Sequence, residues 1–256
     1  MDEPISFDNL SPSTTELLSW HHRLNHMNFN TIQVLAKAGF LPPHLATCSQ
    51  LLCSACQLGK QKRLPRNKTG NPIYDPDNIQ PGNLVSTDQV ESSTPGRPLT
   101  YSGYNSNHKI NTVTIYVDSC SKKIFNHFQT STCAEETIAG KLSMERQAQK
   151  YNVKIKKIRA DSGIFKCKKF RDHINSLEQD IIFCGVSAHH QNGIAERHIQ
   201  TLVNITRTTL LNSHARWPAV IDMELWTFVF QHTVDQWNST LKKELNYLTP
   251  DEVLLV

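Results

Sequence analysis

The sequence predicts an α/β domain with a mixed β-sheet, preceded by a small helical metal-binding domain. Strand and helix signals alternate over most of the chain in the order three strands, helix, strand, helix, strand, helix. Near the N-terminus, histidines and a Cys-x2-Cys pair have the spacing of a structural metal site. A chain of 256 residues with 38% hydrophobic content is also long enough to bury a sizeable core.

Composition excludes several classes of protein. With 27 basic and 23 acidic side chains and ample hydrophobic content, the chain is not expected to be disordered over long stretches. No apolar run approaches the roughly 20 residues that a membrane-spanning helix needs, so we expect no membrane association. The N-terminus shows no secretory signal. Seven cysteines, an odd number, then favour reduced intracellular thiols or metal ligands over a disulfide framework.

A change in composition marks the expected domain boundary. Residues 1–62 form the predicted helical domain, residues 63–80 a basic, proline-containing linker, and residues 81–256 the α/β domain. A domain of about 60 residues buries little apolar surface and usually needs a metal or a partner for stability.

Capping residues and apolar spacing predict the elements of the helical domain. Ser13 or Thr14 is expected to cap a first helix, and Asn30 or Thr31 a second helix that ends near Gly39.

The elements of the second domain follow from β-branched runs and helical periodicity. Three antiparallel strands are predicted at residues 84–88, 112–118 and 123–129. Thr132 is expected to cap the helix that follows. The remaining predictions are strands at 153–160 and 181–184, a loop at 185–193 and a long helix at 194–212.

The first candidate site combines imidazoles with thiols. His21 or His22, together with His26, Cys53 and Cys56, can supply two nitrogens and two sulfurs to a tetrahedral Zn²⁺ ion. Tryptophan-histidine spacing favours His21, whereas an i, i+4 pair on a helix favours His22. Such a closed ligand set indicates a structural metal that contributes to folding.

The second candidate site consists of three carboxylates. Asp88 lies at the end of the first predicted strand, Asp161 directly follows a later strand, and Glu196 lies in the first turn of the long helix. Convergence at one sheet edge would make them repel one another unless Mg²⁺ or Mn²⁺ were bound. Two such ions promote phosphoryl transfer. Alternatively, each acid has a local role, such as ending a strand, starting a turn or facing the positive end of a helix dipole.

Seven short motifs resemble segments of Ty1/copia-type retrotransposon polyproteins. WHHRLNH at residues 20–26 and CSACQLGK at 53–60 are similar to the zinc-binding pre-integrase pattern W-H-x-R-L-G-H followed by C-x2-C-x2-G-K. The integrase core of that family is resembled by five further motifs: VSTD at 85–88, YVDSCS at 116–121, ADSG at 160–163, QNGIAER at 191–197 and YLTPDEV at 247–253.

This resemblance implies a ribonuclease H-like fold with a five-stranded sheet and an integrase that processes element DNA ends and joins them to target DNA. It implies that Asp88, Asp161 and Glu196 bind catalytic Mg²⁺ or Mn²⁺. A structural Zn²⁺ ion would be bound by His21, His26, Cys53 and Cys56. DNA contacts are expected from Gln191, Asn192, Arg197, Lys166, Lys168 and Lys169. The protein would act in the nucleus on chromosomal DNA.

Self-association is also expected, because joining two DNA ends requires at least two active sites. Five aromatic residues form either an apolar surface for a homo-oligomer or ordinary core: Trp217, Trp226, Phe228, Phe230 and Trp237.

Two other functions remain open from the sequence. The spacing between Asp161 and Glu196 is 34 residues, one fewer than is usual in the family. An inactive or domesticated fragment would bind DNA or other chains without turnover. A ribonuclease H-like nuclease would hydrolyse DNA or RNA without joining strands.

Overall fold

The computed structural model describes residues 10–49, 51–60, 80–99, 108–161, 163–183 and 193–255. The chain forms two compact units. The first comprises residues up to Pro65 together with Asn204–Ile221, and the second comprises Arg66–Val203 together with Asp222–Val256. A segment of the expected α/β domain therefore belongs to the same compact unit as the N-terminal residues.

Three short helices build the N-terminal part of the first unit. They are α1 (Pro12–Arg23), α2 (Phe29–Lys37) and α3 (Ser54–Gly59). Their core is apolar, and Leu17, Ile32 and Leu45 are completely buried.

Both predicted helix caps of this unit lie earlier in the chain than expected. Ser11 caps α1 and its hydroxyl accepts a hydrogen bond from the Thr14 N–H, because Pro12 occupies the first helical position where its missing N–H costs nothing. Asn28 caps α2 by accepting a hydrogen bond of 2.8 Å from the Asn30 N–H.

A mixed five-stranded sheet forms the second unit and confirms the predicted fold class. Its strands are β1 (Leu84–Gly96), β2 (Ile110–Asp118), β3 (Ile124–Gln129), β4 (Lys157–Ala160) and β5 (Asp180–Phe183). Their order is β3-β2-β1-β4-β5. The first three strands are antiparallel, as predicted, whereas β4 pairs parallel to β1 and β5 pairs parallel to β4.

Helices accompany this sheet in the expected order. They are α4 (Ala134–Gln149), α5 (Lys168–Ser176), α6 (Gly193–Arg216), α7 (Trp226–Ser239) and α8 (Pro250–Val253). The long helix α6 begins in the second unit and continues into the first. Within the described residues, no helix combines the length and the apolar content needed to cross a membrane.

Several predicted boundaries of the α/β domain were wrong. Strand β2 begins at Ile110 instead of residue 112, and α6 ends at Arg216 instead of residue 212. Strand β1 continues to Gly96 instead of ending at Asp88. Strand β4 begins at Lys157 instead of residue 153, because its pairing with β1 starts only there, with Lys157 opposite Leu84. Cys133, not Thr132, is the N-cap of α4.

The aromatic residues considered for self-association divide between core and surface. Trp226 and Phe230 are buried, and their rings pack edge-to-face against Phe128 at centroid distances of 6.0 and 6.1 Å. Trp217 and Phe228 are exposed.

Candidate metal sites

Four potential metal ligands converge between the end of α1 and the start of α3. His21 Nε2 lies 3.2 Å from His26 Nδ1 and 3.4 Å from Cys56 Sγ. His26 Nδ1 lies 3.6 Å from the sulfurs of both Cys53 and Cys56. Separations of about 3.3–3.8 Å are expected between the corners of a tetrahedron around Zn²⁺ with ordinary Zn–N and Zn–S bond lengths. The donor set and its spacing therefore fit a structural zinc ion.

A sharp reversal of the chain brings the second histidine back to the first. Asn25 and His26 have φ values of 53° and 58°, in the left-handed region. The His26 N–H donates a hydrogen bond of 2.7 Å to the His21 carbonyl oxygen. Asn25 stands where the pre-integrase pattern has glycine, and asparagine is among the residues that tolerate this backbone conformation.

The hydrogen bond of His21 determines which of its nitrogens faces the cluster. Its Nδ1 lies 2.7 Å from the Met27 carbonyl oxygen, so Nδ1 carries the proton and the lone pair of Nε2 is directed at the other ligands. This role of Met27 could not be predicted from the sequence, because its backbone carbonyl acts here independently of its side chain.

His22 also lies near the cluster. A ligand atom of His22 falls within 4.8 Å of ligand atoms of His21, His26 and Cys53. The ring of His21 is buried, whereas that of His22 is only half-buried and its Nδ1 lies 3.4 Å from an Arg216 guanidinium nitrogen. The structure thus brings together all five candidate ligands, and both His21 and His26 lie close to the Cys56 sulfur.

The titratable groups of the cluster are shifted in different directions. Burial lowers the pKa of His26, which keeps its ring neutral and able to coordinate. Hydrogen bonding between the two thiols lowers the pKa of Cys53, which favours its thiolate, whereas the same hydrogen bond and burial raise the pKa of Cys56.

The register of the parallel strands places two of the three candidate carboxylates side by side. Strand β1 pairs with β4 so that Ser86 is opposite Arg159, and two residues further along each chain are Asp88 and Asp161. Asp161 directly follows the last residue of β4. Glu196 lies in the first turn of α6 and is exposed.

Electrostatic interactions link all three carboxylates. Partial burial raises the pKa of Asp88 to about 6, and the negative charges of Asp161 and Glu196 act in the same direction. A hydrogen bond of 2.8 Å from the Gln89 N–H partly opposes this increase. Among the described residues, none of the three forms an ion pair with lysine or arginine. Three carboxylates whose negative charge is not balanced by a nearby cation suit the binding of a hard divalent cation such as Mg²⁺ or Mn²⁺.

Neighbouring residues fix the two aspartates. The Gln89 side-chain amide donates hydrogen bonds of 3.0 Å to Thr114 Oγ1 and 3.2 Å to Thr137 Oγ1, which ties β1 to β2 and α4 next to Asp88. After Asp161, a Cβ on Gly163 would lie 3.2 Å from Asp161 Oδ1, so glycine leaves this carboxylate room. The sequence analysis did not identify Gln89. A polar residue next to an acid in a strand is only a weak signal of a role in a site.

Only some of the residues predicted to contact DNA lie in the described part of the chain. Gln191 and Asn192 lie outside the described residues. Arg197 is exposed on α6, and its Nε donates a hydrogen bond of 3.0 Å to the Gly193 carbonyl oxygen. Lys166, Lys168 and Lys169 are exposed at the start of α5 and in the turn before it, and Lys169 is paired with Glu135.

Comparison with known proteins gives matches to both units. Residues 4–61 match the GAG-pre-integrase domain family. The structure resembles a chain of the simian T-cell lymphotropic virus intasome, solved by cryo-EM with PP2A regulatory subunit B56 gamma. The TM-score is 0.53 at 16% identity, over 80% of this chain and 63% of that chain. No curated protein sequence matches the chain.

Two structures of the HTLV-2 integrase catalytic core domain in complex with magnesium also match. The trimeric form gives a TM-score of 0.48 at 15% identity, over 68% of this chain and 97% of that chain. The dimeric form gives a TM-score of 0.47 at 15% identity, over 69% of this chain and 97% of that chain.

The second unit has the ribonuclease H-like fold of integrase cores, with a mixed five-stranded sheet and helices. The N-terminal residues match a GAG-pre-integrase domain, and their histidine and cysteine cluster fits a zinc-binding module.

Proposed function

We propose that this protein is a retrotransposon integrase of the Ty1/copia type, which processes the ends of element DNA and joins them to target DNA. The observation that carries the proposal is the position of Asp88, Asp161 and Glu196. On a ribonuclease H-like sheet they form an acidic group without a cationic partner among the described residues. The adjacent GAG-pre-integrase match supports the retroelement origin.

Each carboxylate has a separate part in this proposal. Asp88 on β1 and Asp161 directly after the neighbouring strand β4 hold the divalent ions, and Glu196 completes the site from helix α6. When bound, such ions activate an attacking oxygen and stabilise the leaving oxygen in phosphoryl transfer. The rigid strands contribute by fixing both aspartates before DNA arrives.

The zinc cluster has a structural part. His21, His26, Cys53 and Cys56 close a four-ligand shell, which leaves no open position for substrate. Zinc binding therefore stabilises the fold of the N-terminal residues.

DNA and a second copy of the chain are the proposed partners. Exposed Arg197, Lys166 and Lys168 supply positive charge near the acidic site and would contact DNA phosphates, with Gln191 and Asn192 from the preceding loop. Joining two DNA ends requires at least two active sites, so we expect a homo-oligomer that acts in the nucleus.

A strand-joining assay tests this function. Zinc-loaded protein is incubated in Mg²⁺ with a duplex that carries a recessed 3′ end and with a supercoiled plasmid, and Glu196→Gln is assayed in parallel. We expect wild type to give joined products and Glu196→Gln to lose about 100-fold or more of the rate, because metal-assisted catalysis supplies several kcal/mol. Glu178→Gln makes the same chemical change at another exposed glutamate and serves as the control. We expect it to retain activity.

The same assay separates the alternative functions. Nicked plasmid without joined product would indicate a nuclease that only hydrolyses. Binding of the duplex with neither nicking nor joining would indicate an inactive DNA-binding fragment. Either result contradicts the proposed integrase.

A further inference from the structure

A group of basic side chains surrounds one tryptophan near the first turns of α6. We call it the Trp237 cluster and define it by Lys122, Arg197, His198, Trp237 and Lys242. All five residues belong to the second unit. None of them was assigned to zinc or to the acidic site, and only Arg197 was considered for DNA contact.

Direct contacts hold this cluster together. Lys242 Nζ lies 3.5 Å from the centroid of the Trp237 ring, the geometry of a cation–π interaction. Trp237 Nε1 donates a hydrogen bond of 3.1 Å to the Lys122 carbonyl oxygen. On the other side, the His198 ring packs edge-to-face on Trp237 at 5.1 Å. Burial lowers the pKa of His198, and the positive charges of Lys122, Lys242 and Arg197 each lower it further, so all three lie near its ring.

The segment that carries Lys242 is fixed by its backbone. The Lys242 N–H donates a hydrogen bond of 3.0 Å to the Leu248 carbonyl oxygen, and the Lys242 carbonyl accepts one of 2.9 Å from the Tyr247 N–H. The ammonium group is thus presented by a closed loop, so little backbone entropy is lost when a ligand binds.

Charge in the cluster is not compensated. Among the described residues, no carboxylate forms an ion pair with Lys122, Arg197 or Lys242. Burial lowers the pKa of Lys242 to about 8, and the negative charge of Glu244 opposes this only partly. A partly buried ammonium group without a counter-ion gains free energy when an anion binds beside it.

We propose that the Trp237 cluster binds a phosphodiester group of the DNA backbone. This inference rests on the proposed function, for which DNA is the substrate. Lys122, Arg197 and Lys242 supply the charge. The Trp237 ring holds the Lys242 ammonium in place, and the Lys122 ammonium donates a hydrogen bond to the Ser119 carbonyl oxygen. The contact is to phosphate and is therefore independent of base sequence.

The salt dependence of DNA affinity tests the proposal. A fluorescent DNA duplex is titrated with wild type, Lys242→Gln and Lys122→Gln at several salt concentrations. Each lysine that contacts phosphate contributes about one unit to the slope of log affinity against log salt, so each variant should lower that slope by about one and weaken binding equally for different sequences. Lys150→Gln removes the same charge from an exposed position after α4 and should leave the slope unchanged.

Additional variants and a comparison ligand separate loss of a phosphate contact from loss of folding. Thermal unfolding shows whether each variant is folded, and Lys242→Arg, which keeps the charge, should retain most of the slope. If Lys242→Gln does not fold, Lys122→Gln carries the test. Inorganic phosphate is the comparison ligand: if it binds in a Lys242-dependent manner while the slope for DNA is the same in all variants, the cluster is a site for small anions and the proposal is wrong.

Failure of this inference can be told apart from failure of the proposed function. Wild type that joins DNA strands, with a slope unchanged in both lysine variants, overturns the phosphate site alone. Wild type that binds DNA with a Lys242-dependent slope and joins no strands overturns the integrase activity and retains the phosphate site.

Discussion

Asp88 shows how a residue can be suited to a metal at the expense of stability. Its pKa rises to about 6 through burial and through the charges of Asp161 and Glu196. Without a metal, the ionised carboxylate therefore destabilises the fold at neutral pH. This is expected of a side chain retained for binding a cation.

We predict that Asp88→Asn stabilises the magnesium-free protein at pH 7.5 by about 1–2 kcal/mol, after allowance for solvent screening. The amide keeps an oxygen that can accept the hydrogen bond from Gln89 and removes the charge. Urea unfolding of zinc-loaded protein, without magnesium and without chelator, measures the difference.

The pH dependence follows from the direction of the pKa change. A carboxyl group whose pKa is raised in the folded state destabilises that state once it ionises, so the penalty is complete above about pH 6 and fades toward the ordinary pKa of aspartate, near 4. The advantage of Asp88→Asn should therefore shrink as pH is lowered from 7.5 to 4.5. An equal advantage at both pH values would show that charge is not its cause.

The histidine doublet gives a second prediction at the scale of single residues. His21 is buried, donates its Nδ1 proton to Met27 and contacts Cys56 through Nε2. We expect His21→Ala to lose its zinc on dialysis and His22→Ala to retain about one ion per chain. Metal analysis by atomic emission measures both. The reverse result would assign the ligand to His22.

At the scale of elements, close packing of α3 on the later part of α6 organises the first unit. A Cβ on Gly59 would lie 2.2 Å from Thr208 Oγ1 and 2.7 Å from Thr208 Cα, so only glycine fits. Gly59 is also the glycine of the pre-integrase pattern that follows the two cysteines. Its position in that pattern is thus explained by the approach of two helices.

We predict that Gly59→Ala destabilises the protein by about 1–3 kcal/mol, the usual effect of overpacking, although all four zinc ligands are kept. Urea unfolding in the presence of zinc measures the effect. Gln57→Ala, exposed on the same short helix, is the matched control and should be close to neutral. A Gly59→Ala protein as stable as wild type would mean that the two helices separate at little cost.

Local signals predicted the elements better than their ends. Strand and helix order follows from periodicity, and short motifs led us to predict both candidate metal sites. The extension of β1 beyond Asp88 was not predicted, because Ser92, Thr94 and Pro95 are typical of turns. That extension depends on α7: Trp226 Nε1 donates a hydrogen bond of 2.9 Å to the Thr94 carbonyl, and Thr227 Oγ1 donates one of 2.6 Å to the Arg97 carbonyl.

Contacts between residues far apart in the sequence could not be predicted either, because local patterns carry no information about them. Lys122 and Trp237 meet only in the folded chain, and neither belongs to a motif that indicates binding. By contrast, Asp88 and Asp161 were predicted to converge at one sheet edge, because each was expected at or just after the end of a strand. The parallel pairing of β1 with β4 accounts for their proximity.

At the scale of the whole molecule, the chain contains two groups of potential metal ligands with different chemistry. Soft sulfur and imidazole donors cluster among the N-terminal residues, whereas carboxylate oxygens form an acidic group on the sheet. We therefore expect zinc to determine stability and magnesium or manganese to determine turnover.

The central claim is that Asp88, Asp161 and Glu196 form a metal-dependent site for DNA strand transfer. The most direct measurement is resolution of a branched DNA that mimics the joined product, in Mn²⁺, because this reverse reaction places the fewest demands on assembly. We predict that wild type resolves the branch and that Asp161→Asn and Glu196→Gln, both zinc-loaded and folded, do not. Equal resolution by wild type and both variants, or none by folded wild type that binds the DNA, would contradict the account.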